Sequence, residues 1–314
     1  MKDELIVFSG SAHPALTGEI CRELGVEPGR INIHTFSNDN IKVKILENVR
    51  ESDVFVVQPS APPVNKGLME LLITIDALKQ ASAGRITAVT PLYPYARSDK
   101  KDEPRISITA RLVADLLMAA GADRVLTMNL HAPQIAGFFR IPVDQLDARP
   151  LLTNHFERIR SERFAVVAPD AGATKWVSRI AGRLRAPLAI FDKRRAADDE
   201  NAQVEHLIGD VSGRDVLVMD DEILSGGSMV SVVNALKRSG AKNVYVGCVH
   251  PLFSGDATDR LSKVGIKELA VTNTIPIAGE KMRPFITVLS VGPLFAQAIK
   301  RIHVGDSVSK LFED

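Results

Sequence analysis

Short apolar runs recur along the chain, each followed by turn residues and then by apolar positions three and four apart. Leu5-Ile6-Val7-Phe8 ends at Ser9-Gly10, and Pro14 sits in the first turn of the helix expected next, where its missing N–H is tolerated. Residues 31–36 and 41–45 alternate as two strands around the turn Ser37-Asn38-Asp39-Asn40. Residues 53–57 and 85–90 read as buried strands. A helix over 65–83 separates them, with Met69, Leu72, Ile75 and Leu78 on one stripe. Loop 95–105, helix 106–120 and strand 124–129 follow. The second half repeats the rhythm: strand 164–168, helix 174–184, strands 187–191 and 216–219, helix 229–238, strands 243–249 and 269–272, and helix 291–302.

Apolar strands alternating with amphipathic helices predict parallel sheets covered on both faces. At roughly 100–200 residues per domain, a chain of 314 residues predicts two domains. The expectation is α/β, with two doubly wound parallel-sheet domains over 1–147 and 148–314, the final helix and tail being free to pack back on the first. Ligands of such sheets sit beyond the carboxyl ends of the strands, so the polar clusters after strands are the places to search.

Composition narrows the function classes. An apolar fraction of 45% is enough for real cores, and a net charge of +1 gives no global basic field for nucleic acid or membrane. Cys21 and Cys248 read as two buried thiols in a reducing compartment. Met1-Lys2-Asp3-Glu4 lacks the apolar core of a signal peptide, and no apolar stretch approaches the ~18–20 residues of a membrane helix. The expected location is the cytoplasm.

The strongest chemical signal is Asp220-Asp221-Glu222 at the end of an apolar strand, followed by Leu224-Ser225-Gly226-Gly227-Ser228 and a helix. Carboxylates suit vicinal sugar hydroxyls, and a small-residue loop lets backbone N–H groups converge on a phosphate at a helix N-terminus. The same segment also reads as a plain strand–turn–helix. Neither a Walker A loop nor a G-x-G-x-x-G fingerprint occurs. Pro169-Asp170-Ala171-Gly172-Ala173 permits close approach of a pyrophosphate, with Asp170 for a metal or, more plainly, as a helix cap. Residues 97–105 are either a solvated loop or a polyphosphate lid. Lys193-Arg194-Arg195 is either a basic surface turn or a group that stabilises a transferring phosphoryl. His131 follows strand 124–129, and Trp176 reads as packing.

Taken together, Tyr93-Pro94-Tyr95-Ala96-Arg97, Leu130-His131-Ala132-Pro133-Gln134, Ile141-Pro142-Val143-Asp144, Asp192-Lys193-Arg194-Arg195 and the tail Ser307-Val308-Ser309-Lys310-Leu311-Phe312 resemble the ribose-phosphate pyrophosphokinases over nearly the whole chain. The resemblance implies phosphoribosyltransferase-like domains that transfer pyrophosphate from Mg-ATP to the 1-hydroxyl of ribose 5-phosphate, giving PRPP and AMP. It implies ATP contacts at Phe36, Asn38, Asn40, Arg97, Ser98 and Asp99, and Mg²⁺ at His131 and Asp170. Catalytic cations would be Lys193 and Arg195. Ribose 5-phosphate would lie at Asp220, Asp221, Ser225, Gly226, Gly227 and Ser228. A regulatory site for inorganic phosphate or ADP would use Arg50, Ser307 and Ser309. The implied assembly is a homo-oligomer of dimers, usually a hexamer. The chain departs from the family at Asn40, Asn48, Gln80, Ser98, Asn129, Arg140, Ala173, Trp176 and Leu224, the last standing where the sugar-phosphate loop normally begins with Asp. Two alternatives therefore stay open: a pyrophosphokinase for another sugar phosphate, and a catalytically silent regulatory subunit.

Overall fold

The computed structural model describes residues 4–195 and 203–312, with the side chains of 192–195 and 203–206 left aside. In chain order the elements are β1 (Leu5–Ser9), α1 (Pro14–Leu24), β2 (Ile31–Thr35), β3 (Ile41–Ile45), β4 (Asp53–Val57), α2 (Val64–Gln80), β5 (Arg85–Thr90), α3 (Thr109–Ala120), β6 (Arg124–Met128) and β7 (Val143–Leu146). They continue with α4 (Arg149–Ile159), β8 (Phe164–Ala168), α5 (Thr174–Arg183), β9 (Leu188–Arg195), β10 (Gln203–Ile208), β11 (Asp215–Ile223), α6 (Gly227–Arg238), β12 (Asn243–Pro251), α7 (Ala257–Lys263), β13 (Glu268–Thr272), β14 (Ile286–Leu289) and α8 (Gly292–Val304). Two compact units result. The first holds residues 4–147, 274–276 and 290–312, and the second 148–273 and 277–289.

The first unit has a five-stranded parallel sheet in the order β1-β4-β5-β6-β7, and β2 and β3 form a separate antiparallel hairpin. One face of the sheet presents Val54, Val56, Ile86, Ala88 and Val125 to Leu71, Ile75 and Leu78 of α2 and to Val113 and Leu117 of α3. Every residue of β4 is buried, which is why it reads as an unbroken apolar run. The hairpin keeps strict alternation because it carries solvent on one side.

Helix α8 belongs to this first unit and packs along α1. Its anchor is polar. Asp53, 1% exposed at the start of β4, accepts from Arg85 Nε at 2.8 Å and Nη2 at 2.6 Å, and its Oδ2 lies 2.9 Å from His303 Nδ1. Arg85 also donates to the Ile302 carbonyl at 2.9 Å. A single buried carboxylate thus joins strand, neighbouring strand and C-terminal helix.

The second unit has a seven-stranded sheet in the order β10-β9-β8-β11-β12-β13-β14, parallel except at β10. Period-two alternation sorts its faces. Val244, Val246 and Cys248 of β12 meet Met229, Val232, Val233 and Leu236 of α6, while Gly247 leaves room for the Phe156 ring of α4. Both cysteines are free and buried, and burial pushes the Cys21 thiol up to about 11.

Two of the strands that run past their expected ends bear on the site. β9 runs on to Arg195 instead of ending at 191, because β10 pairs with it register by register. β11 runs to Ile223 because β12 supplies a ladder as far as Pro251. Asp220 and Asp221 therefore lie in a strand, and the basic cluster lies in a hairpin. The apolar pattern gives no sign of β7, α4, β10, α7 or β14, which are short or mostly polar segments.

Replacing Asp53 by Ala leaves Arg85 and His303 without their shared acceptor. The expected cost is about 3 kcal/mol in the transition that unfolds the first unit. Urea denaturation followed by circular dichroism checks it, and an unchanged midpoint would count against the anchor.

Candidate active site

Strand order in the second unit reverses between β8 and β11, the place where open parallel sheets leave a crevice at their carboxyl ends. Three carboxylates gather there. Asp170 follows β8, and its Oδ1 accepts the Ala173 N–H at 2.8 Å, closing the turn into α5. A Cβ on Gly172 would come within 3.2 Å of the same oxygen, so the turn is close-fitting. Asp220 and Asp221 lie near the end of β11, and Asp220 Oδ1 accepts the Asp221 N–H at 2.9 Å. Burial pushes the Asp220 carboxyl up to about 8, helped by the hydrogen bond and charge of Asp221 and, more weakly, by the charge of Asp170.

The chain then turns through Leu224 and Ser225, both exposed, to Gly226 at φ 75°. That left-handed conformation suits glycine and aims the first turn of α6 at the crevice. Gly226 is the N-terminal cap of α6 and offers no side-chain acceptor, and Ser228 stands exposed in the first turn. First-turn amides of this kind, with the helix dipole behind them, attract a phosphate. Trp176, on α5 just after the Asp170 turn, has the Arg149 guanidinium 5.3 Å from its ring centroid.

Lys193 and Arg195 are in β9, opposite Glu205 and Gln203 of β10, and their side chains lie outside the described residues. In the first unit, His131 is exposed just beyond β6. Asn129, two residues before it, is buried in a left-handed conformation at φ 39°. Its N–H donates to Leu146 O at 2.9 Å and its Nδ2 to Asp147 at 2.8 Å. Gln134 Nε2 reaches Asp99 Oδ2 at 2.6 Å, which brings the 95–105 loop to the His131 loop. Arg97 is exposed. Ser98 Oγ accepts the Thr109 N–H at 3.1 Å and donates to Ser107 O at 3.0 Å, a capping role for α3.

Phe36, Asn38 and Asn40 share the β2–β3 turn. Phe36 is 45% exposed and stands edge-on to His34, and Asn38 Oδ1 accepts the Asn40 N–H at 3.2 Å.

Ser307 and Ser309 line a polar cavity of about 470 Å³ with Arg85, Arg124, Asp144 and Gln145. Arg124 is held by Asp144 at 2.5 Å. Arg85 and Arg124 are the first residues of β5 and β6, so this cavity opens at the amino-terminal edge of the sheet, opposite to His131. Arg50 is outside its lining and bridges Ala83 through the backbone. Neither arginine stands out in the sequence; their shared position at the start of successive strands is what brings them together.

Among the described residues, no three His, Cys, Asp or Glu side chains converge as a ready-made metal cage. The carboxylates of the crevice do fit a hard cation. They are oxygen donors, two of which raise the proton affinity of Asp220, and Mg²⁺ is usually held by one or two such groups plus substrate phosphates.

Comparison with known proteins gives the family. Residues 5–121 match the model of the N-terminal domain of ribose phosphate pyrophosphokinase, and residues 204–313 match the phosphoribosyl synthetase-associated domain. A ribose-phosphate pyrophosphokinase of Deinococcus radiodurans is 49% identical over 99% of this chain and 98% of its own length. The chain belongs to the ribose-phosphate pyrophosphokinase family. A putative ribose-phosphate pyrophosphokinase of Streptomyces coelicolor is 47% identical over 99% of the chain and 98% of its own length. The crystal structure of phosphoribosylpyrophosphate synthetase from Mycobacterium smegmatis superposes with a TM-score of 0.91 at 43% identity, covering 96% of this chain and 99% of that one. The fold is thus the phosphoribosyltransferase-type α/β fold of the pyrophosphokinases. No helix among the described residues is long and apolar enough to cross a membrane.

The raised Asp220 carboxyl gives a pH test. Its ordinary value is 3.8 and its folded value about 8, so between these the folded protein holds a proton that the unfolded chain releases. Stability from this group falls as pH rises through that window and is fully lost above it. Asp220→Asn removes the penalty. Its melting temperature is expected to equal that of the parent near pH 4 and to exceed it increasingly up to pH 8. Thermal melts across that range decide the matter; a difference that stays flat with pH rejects the assignment.

Proposed function

We propose that this pyrophosphokinase transfers the β,γ-pyrophosphoryl group of Mg-ATP to the 1-hydroxyl of ribose 5-phosphate, giving PRPP and AMP. The observation that carries the reading is the pairing of Asp220 and Asp221 at the end of β11 with the α6 N-terminus, one loop away, at the strand-order reversal. Asp220 and Asp221 bind the vicinal ribose hydroxyls. Ser225, Ser228 and the amides after Gly226 and Gly227 bind the 5-phosphate. Phe36, Asn38, Asn40, Arg97, Ser98 and Asp99 hold the nucleotide, Phe36 by stacking on the base.

The sugar 1-oxygen attacks the β-phosphorus in line, and the bond from that phosphorus to the oxygen bridging the α- and β-phosphates breaks. That oxygen leaves with AMP, and the hydroxyl proton passes to a basic group or water. Lys193 and Arg195 stabilise the charge that develops on the transferring group. Asp170 in the second unit and His131 in the first would each offer Mg²⁺ a ligand, and the cation would neutralise polyphosphate charge. Positioning supplies most of the acceleration.

The polar cavity at Ser307 and Ser309 receives inorganic phosphate or ADP as effector, with Arg50 contributed through assembly as a homo-oligomer of dimers and then a hexamer. The enzyme works in the cytoplasm. Leu224, 36% exposed within a loop of acids and serines, supports a second reading in which a different sugar phosphate is the acceptor.

The pure protein, given Mg-ATP and ribose 5-phosphate, is expected to release AMP and PRPP in equal amounts. AMP release with other sugar phosphates alone would favour the second reading, and no turnover except a modulation of an active synthetase would make the chain a regulatory subunit. Lys193→Ala is expected to lose at least about a hundredfold in kcat with its circular dichroism spectrum intact; full activity in that variant removes the role given to the basic cluster.

A further inference from the structure

Beneath the sugar-phosphate loop of the second unit lies another loop, residues 252–256, with no part in the chemistry above. Phe253 N–H donates to Ile223 O at 3.1 Å, and Ser254 N–H to Leu224 O at 2.8 Å. Gly226 faces this support closely, since a Cβ there would meet Ala257 O and Leu261 at 3.4 Å. The supporting loop is strained. Phe253 is 2% exposed and sits at φ 44°, a left-handed conformation that a bulky residue keeps only when its surroundings impose it.

The segment between β13 and β14 holds this support from the other side. Arg283 Nη2 and Nε reach Asp259 Oδ1 on α7 at 2.5 and 3.2 Å. Arg283 Nη1 donates to Glu280 O and Met282 O at 2.7 Å each, and Lys281 Nζ donates to Gly255 O. The hydrogen bond and charge of Arg283 hold the Asp259 carboxyl below its ordinary range. The two side chains are 28% and 54% exposed, so the pair contributes little to global stability. Its rigid planar fork instead fixes several acceptors at once, which a lysine does not do.

We propose that Arg283 is a positioning residue for the sugar-phosphate loop: through Asp259 it fixes α7 and residues 252–256 as the platform that keeps residues 224–228 aimed at the phosphate. The inference rests on the assignment of that loop to ribose 5-phosphate.

The test compares wild type, Arg283→Met, Arg283→Lys and the charge exchange Arg283→Asp with Asp259→Arg. Arg283→Met is expected to raise the KM for ribose 5-phosphate about three- to tenfold, leaving the KM for ATP and the melting temperature nearly unchanged. Amide hydrogen exchange over residues 224–230 should quicken in the same variant. Arg283→Lys is expected to rescue only in part, and the charge exchange likewise, because an aspartate at 283 restores the ion pair but cannot donate to Glu280 O and Met282 O. Wild-type affinity for ribose 5-phosphate with an unmoved KM and unmoved exchange in Arg283→Met overturns the inference alone. A wild-type protein that does not bind ribose 5-phosphate overturns the functional assignment beneath it.

Discussion

Two adjacent carboxylates at the end of a buried strand, with a third close enough to be felt, do not stay charged together at low cost. Asp220 shows the consequence in its proton affinity, raised first by burial and then by Asp221 and Asp170. A site of this kind is completed by what it binds: hydroxyl groups that donate to the oxygens, or a cation that shares them. The arrangement lowers the stability of the free protein, the usual condition of a site organised for a ligand rather than for itself. The rest of the second unit keeps that repulsion in place. The β12 ladder extends under the acids, Gly226 turns the chain at once into α6, and the strained Phe253 loop closes the floor.

The first unit separates two kinds of polar chemistry by the direction of its strands. At the carboxyl edge, the β6 strand delivers His131, and Gln134 ties its loop to Asp99. At the amino edge, the first residues of β4, β5 and β6 are Asp53, Arg85 and Arg124, and the C-terminal tail lies across them. A parallel sheet makes this segregation automatic, because every strand presents its start on one side and its end on the other. Charged residues that open a strand therefore meet each other, however far apart they stand in sequence.

Much of this architecture is legible in the amino-acid sequence. The long apolar strands and the helices with a clear 3.6-residue stripe read correctly because burial on both faces leaves no ambiguity. The segment from Asp220 to Ser228 is legible as strand end, turn and helix start because its residue types, acids and then small residues, carry that geometry locally. Elements that borrow their stability from a neighbour are not. Polar β10 is a strand because β9 lies beside it, and the last residues of β11 stay extended because β12 does. Ser98 shows the same limit within the site. Nothing around it in sequence announces that its hydroxyl is engaged with the first turn of α3. Nothing near Arg283 in sequence announces Asp259, twenty-four residues away, because only tertiary packing brings them together.

Helix α8 returns to the first unit from the far end of the chain, where Ile302 and His303 close over the Asp53–Arg85 pair. A ribosome makes those residues after the whole of the second unit. While the second unit is being made, the nascent amino-terminal sheet carries a carboxylate and a guanidinium whose cover does not yet exist. Completion of the first unit thus depends on residues 290 onward, and a chain cut before them has its first-made part, not its later one, left without a cover.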